Sequence, residues 1–266
     1  WRAVALIKDQ PSNRKHRSDL AWSYQGRARI LAQIPGGRGG TIQARQHEVA
    51  VLEELYGSDK ADADLIHRLA NAHFEMGIAM QQARQPHIGH WMKAIGIWDK
   101  LKSHETKNPE HLVNWSQCLH NLGMYHGGRK AYAEAETCYE KATELRQQLV
   151  KHKPNDLTAQ EGLAWTLTNQ AVLWRNQGQQ RKAAQLFDEA GKHWLILVRM
   201  KPTFQTYRQE LEHAHRTVFQ DARARKDNAT AARVKDAELA YLQILAKAQP
   251  GDRNLALRIR GVLLTA

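Results

Sequence analysis

Residues 157–202 read LTAQEGLAWTLTNQAVLWRNQGQQRKAAQLFDEAGKHWLILVRMKP. In the second half of this stretch Ala183, Phe187, Ala190, Trp194 and Leu197 are spaced 4, 3, 4 and 3 apart, which sets them on one stripe of an α-helix. Leu163, Leu167, Ala171 and Trp174 do the same in the first half, and neither half alternates as a strand must. Between them Gln177-Gly178-Gln179 supplies a turn, because glycine takes a positive φ without steric cost. Pro202 has no N–H to donate and disfavours α geometry in the residue before it, so the second helix must stop there. The stretch is a helical hairpin closed by a proline.

The hairpin recurs. Pro154, Pro202 and Pro250 follow one another at steps of 48 and 48, and Pro11 lies 143 before Pro154, one short of three such steps. Core positions keep the same time: Leu20, Leu69, Trp115, Leu163, Leu211 and Ile259 follow one another at 49, 46, 48, 48 and 48. A unit that repeats in this way buries its apolar face against its neighbours, so length counts units and not separate cores. The expected fold is all-α, an α-solenoid of stacked antiparallel helical hairpins forming a single repeat domain over 1–266. Its hairpins are expected at about 14–60, 61–108, 109–154, 155–202 and 203–250, with half units at 1–13 and 251–266. The chain opens on Trp1 with an apolar pattern already running through Val4 and Ile7, as expected of a fragment of a longer protein.

Composition narrows the function classes. A hydrophobic content of 42% with mean hydropathy −0.64 suits a surface-rich folded protein, and no apolar run nears the ~18 residues of a membrane span. Cytoplasmic placement is expected, with an exported or tethered parent protein left open. Cys118 and Cys138 fall within helical periodicity and read as buried thiols, too few for a disulfide framework or a four-ligand zinc site. The net charge of +12 favours an acidic partner or simply solvates helix backs. Basic residues gather at Arg14, Lys15 and Arg17 and at Arg223, Arg225 and Lys226, without the interleaved aromatics that single-stranded nucleic acid requires. Nucleic-acid binding therefore stands second to protein or peptide binding.

Three motifs invite a chemical reading. His87-Ile88-Gly89-His90 spells an ATP-site motif of certain synthetases, but it follows Pro86 where such a site needs a strand. Gly36-Gly37-Arg38-Gly39-Gly40-Thr41 lacks the lysine of a phosphate loop and follows an amphipathic helix, so it reads as a turn. His67, His73, His120, His126, His213 and His215 recur in first helices without HExxH spacing, which favours structural or groove-lining roles. No catalytic, cofactor-binding or metal-binding residues are assigned, and an enzyme hidden between Ala28 and Trp98 is the remaining alternative.

The succession Leu167, Gln170, Ala171, Trp174, Gly178, Ala183, Phe187 and Ala190 resembles the tetratricopeptide repeat, and so does Leu119, Leu122, Gly123, Ala135, Tyr139 and Ala142. The repeat step of 48 exceeds the family's usual 34, which predicts longer helices in each hairpin. The endings LVKHKP and LVRMKP, with the following QEGLAWTLTN or RSDLAWSYQG, resemble the repeat tails of bacterial serine/threonine kinases. The resemblance implies a right-handed superhelix whose first helices line a concave groove for a peptide. Its matching positions in the first two hairpins are Trp22, Gln25, Arg29, Asn71, Phe74 and Gln81. The later ones are Gln117, His120, Trp165, Thr168 and Arg175, then His213, Arg216, Gln220 and Arg223. Where the family's chaperone clamp has its first lysine the chain has Gln25, Phe74, His120, Thr168 and Arg216, so the resemblance does not extend to chaperone tails.

Overall fold

The computed structural model describes residues 13–58, 62–101 and 109–264. The half unit expected before Asn13, with Pro11, lies outside these residues. Every regular element described is a helix, and no strand occurs among the described residues. The chain divides into two compact units, one up to Leu122 and one from Gly123. The first holds α1 (Arg14–Ala32), α2 (Arg38–Ser58), α3 (Ala63–Gln82), α4 (Ile88–Trp98) and most of α5 (Glu110–Gly128). The second holds the end of α5, then α6 (Tyr132–His152), α7 (Leu157–Asn176), α8 (Gln180–Met200), α9 (Gln205–Ala224), α10 (Asn228–Ala248) and α11 (Arg253–Leu264). Within each unit successive helices pack on one another, the arrangement of an all-α helical-repeat fold.

The repeat is written into the backbone. Helices α6, α8 and α10 end just ahead of Pro154, Pro202 and Pro250, with one residue between. Their C-caps Lys153, Lys201 and Gln249 take φ −136, −138 and −131 with ψ 75, 75 and 68, outside the α region as the residue before proline demands. First helices then start on side-chain caps: the Asp156 carboxylate accepts from the Ala159 N–H at 2.7 Å, and Asp252 from Leu255 at 3.3 Å. Phe204 has the same phase between them and offers no acceptor.

Inside the hairpins the left-handed region is occupied by Gly36, Arg84, Lys130, Gly178 and Lys226, with φ 81, 57, 61, 75 and 56. Their steps are 48, 46, 48 and 48. Glycine stands at the two turns expected from the sequence, Gly36 and Gly178, yet Arg or Lys stands at the other three positions. The turn is held instead by a bond reaching five positions back along the chain, as in Gln179 N–H to Trp174 O at 3.0 Å and Asp227 N–H to Ala222 O at 2.8 Å. That bond sets the geometry, and the basic residues adopt it at a cost.

Small residues on first helices make room for aromatics on second helices. A Cβ at Gly77 would lie 2.4 Å from the Trp91 ring, and one at Gly123 would lie 2.9 Å from Tyr139. Ala171 and Phe187, each one repeat step on from the latter pair, share one buried cluster with Val218. A further step reverses the pattern: Phe219 occupies the small site and Lys235 the aromatic one, with the ammonium 5.9 Å from the ring centre. Helix α4 departs from the expected long second helix, with 11 residues where α2, α6, α8 and α10 have 21. It is anchored by Trp91, Ala94 and Trp98, all fully buried on one stripe.

Candidate binding face

In the first unit the expected face is partly open and partly closed. Trp22 is 54% exposed and carries the Arg68 guanidinium 4.6 Å above its ring, a pairing that holds a flat apolar surface toward solvent. Arg29 and Gln81 are exposed, and Gln25 is half-buried. Asn71 accepts from the Asn114 amide at 2.7 Å and Gln117 donates to Asn121 at 2.8 Å, so these amides are already engaged with neighbours. Phe74 is 2% exposed and packs on Trp91 and Trp98, and His120 is also buried. Both belong to the core and offer no surface to a ligand.

In the second unit the same division appears. Thr168 is buried and accepts from the Trp194 indole at 3.1 Å. Trp165 is half-buried, edge-on to Trp194 at 5.1 Å. The Arg175 guanidinium lies 5.7 Å from the Phe187 ring centre, and His213 meets that ring edge-on at 5.1 Å. Burial lowers the His213 pKa, and the nearby Arg175 and Arg216 charges lower it further. Arg216, Gln220 and Arg223 are exposed on α9 at i, i+4 and i+7. Arg68, Phe219 and Lys235 were not anticipated. Phe219 has a sequence signal: it stands one repeat step after Ala171, where a small residue is expected.

The remaining polar groups hold structure. Arg45 bonds Glu48 at 2.7 Å and Glu75 at 3.2 Å, the first pair almost fully buried. Arg146 donates to the Gly162 carbonyl and the Thr166 hydroxyl, and burial lowers its pKa to about 10. His73 and His90 meet at 3.1 Å between Nδ1 atoms, while His67 stacks on His111 at 4.0 Å and accepts from the Trp98 indole. Thus His90 of the synthetase-like tetrapeptide is a packing partner, and His87 sits at the N-cap of α4. Gly36 forms the turn before α2, where the Thr41 hydroxyl donates to Gly37 O. Cys118 and Cys138 are both buried thiols. Among the described residues no group of three or more His, Cys, Asp or Glu converges to hold a metal. No described helix is long and apolar enough to cross a membrane.

Compared with protein families, residues 115–156 match the one described as Tetratricopeptide repeat. The chain carries a tetratricopeptide repeat. The matched segment contains the Gly123 and Tyr139 pair that packs its two helices and ends on the Asp156 cap. No curated protein matches the sequence. Among solved structures, YrrB, a tetratricopeptide-repeat protein with an unusual peptide-binding site, is 14% identical with a TM-score of 0.47, covering 97% of each chain. Kinesin light chain-type repeats of Podosopora anserina are 16% identical at a TM-score of 0.43, covering 91% of this chain and 99% of theirs. PilF of Pseudomonas aeruginosa is 16% identical at 0.40, covering 94% and 99%.

Proposed function

We propose that the chain is a protein-interaction scaffold that binds a peptide segment along the outward sides of its first helices. The observation that carries the reading is Trp22, more than half exposed and held flat by Arg68. A rigid aromatic presented to solvent costs little further ordering when a partner covers it, which is the profile of a binding anchor. Gln25 and Arg29 on the same helix and Gln81 on α3 offer further polar contacts in this unit, and Arg216, Gln220 and Arg223 offer them in the other. Phe74, His120 and Thr168 are left out of the contact set because they are buried. The endings LVKHKP and LVRMKP support a place in a larger bacterial signalling protein, such as a serine/threonine kinase.

Selection of peptides from a random display library on the whole chain tests the scaffold reading. Enriched peptides should lose binding to Trp22→Ala or Gln220→Ala and keep it for substitutions at the exposed Gln147 and Lys192 of α6 and α8. Peptides indifferent to every face substitution would sink it, as would a single-stranded oligonucleotide that binds where no peptide does.

A further inference from the structure

Helix α9 and its neighbour α7 bear cations that have no ion-pair partner among the described residues. These are Arg175, Arg216 and Arg223. Three arginines of this unit are matched: Arg225 with Asp221 at 2.8 Å, Arg233 with Asp188 at 2.9 Å and Arg258 with Glu212 at 3.0 Å. Two clefts of about 280 and 480 Å³ adjoin α9 and share Phe219 and Lys235 in their walls, with Arg216 lining the smaller and Arg223 the larger. Acidic groups on these walls are Glu212, Glu238 and Asp236, of which the first two are held by Arg258. On the other flank Arg175 and His213 both lie on Phe187.

Resting on the peptide-binding reading above, we infer that this face of α9 takes an acidic peptide in extended conformation, with two side-chain carboxylates at i and i+3. Arg216 and Arg223 are separated by two helical turns, about 10 Å along the axis. In a polyproline-type extended peptide, residues i and i+3 point the same way and lie about 9 Å apart. Each carboxylate meets one guanidinium, whose planar fork suits it. Gln220, between the two arginines on the same stripe, has both a donor and an acceptor for the peptide backbone there. Single-stranded nucleic acid fits less well, since it calls for successive stacking platforms and the aromatic ring that both walls share, Phe219, is half-buried with Lys235 against it.

Fluorescence anisotropy on the whole chain decides the matter. The probes are a labelled short peptide with two glutamates at i and i+3 in a proline, alanine and serine background, its glutamine counterpart, an isomer with adjacent glutamates, and labelled oligothymidine. Binding of the i, i+3 peptide should weaken about tenfold with Arg216→Ala or Arg223→Ala, and by more when glutamine replaces glutamate. The adjacent isomer should bind several-fold more weakly, and added salt should weaken all of them. The inference is overturned if either arginine variant binds unchanged, if the isomers bind alike, or if oligothymidine binds more tightly than the peptide. Both arginines are exposed, so unchanged helical circular dichroism and melting should accompany the loss. A null result here with library peptides still sensitive to Trp22→Ala removes the acidic site and leaves the scaffold reading; loss of both removes both.

Discussion

Hairpin α7/α8 and hairpin α9/α10 stand one repeat step apart and solve the same packing problem in opposite ways. In the first, Ala171 lets the second helix approach and Phe187 fills the space, both fully buried. In the second, the large ring sits on the first helix as Phe219 and a lysine occupies the aromatic site; both are only half-buried. Contact between the helices survives because the flexible lysine lies against the ring with its ammonium 5.9 Å from the ring centre, and both side chains reach solvent in place of being sealed between the helices. What changes is the surface. The sealed interface of α7/α8 becomes, in α9/α10, a cleft wall with a ring and a charge upon it, beside the unmatched arginines of α9.

The contrast can be broken most sharply at the rings. Phe187→Ala should destabilise the protein by ~3–5 kcal/mol, whereas Phe219→Ala, losing half-exposed surface, should cost only ~1–2 kcal/mol in chemical denaturation. Equal losses would show that the two hairpins pack alike after all. Acid should separate the histidine-rich α3/α4 hairpin from both. Burial holds His67 and His73 at a pKa of about 4, so the unfolded chain, at ~6.5, takes up protons first. Stability is whole above about pH 6.5 and falls as pH drops toward 4, by up to ~2–3 kcal/mol for each histidine. His73→Phe should flatten that slope; an unaltered profile by tryptophan fluorescence counts against the assignment.

At the small sites, Gly123→Ala pushes a methyl to 2.9 Å from Tyr139 and should cost ~1–3 kcal/mol. The reversed hairpin offers a converse test: Lys235→Tyr alone should crowd Phe219, and combination with Phe219→Ala should relieve the loss, a coupling measured by a double-mutant cycle. The turns give the smallest effects. Gly178→Ala should lose about 1 kcal/mol, and Lys226→Gly, at the equivalent left-handed position, should change stability far less or raise it, because glycine escapes the Cβ clash but widens the unfolded ensemble. Thermal melts of the pair check it.

Much of the fold was legible because a repeat states its packing several times. The 3–4 spacing around Phe187 and Trp194 and the prolines at 154, 202 and 250 specify helix stripes and helix ends by local geometry alone. The candidate face was legible only in part. Phe74 and Trp22 both follow from family positions on first helices, yet one is buried under Trp91 and Trp98 and the other stands in solvent. Periodicity names the side of a helix and does not say which neighbour covers it. The turns show the same gap, since Lys130 and Lys226 carry no mark of a left-handed residue in their own chemistry.

By itself the sequence determined an all-α chain of helical hairpins, the helix ends set by Pro154, Pro202 and Pro250, and the stripes around residues such as Phe187 and Trp194, for these depend on contacts between near neighbours in the chain. Tertiary structure alone decided which first-helix residues remain accessible, that Arg68 props Trp22, and that Arg175, Arg216 and Arg223 have no ion-pair partner among the described residues. Exposure and charge balance arise between segments a whole repeat apart in the chain, a distance over which local pattern carries no information about which side chains meet.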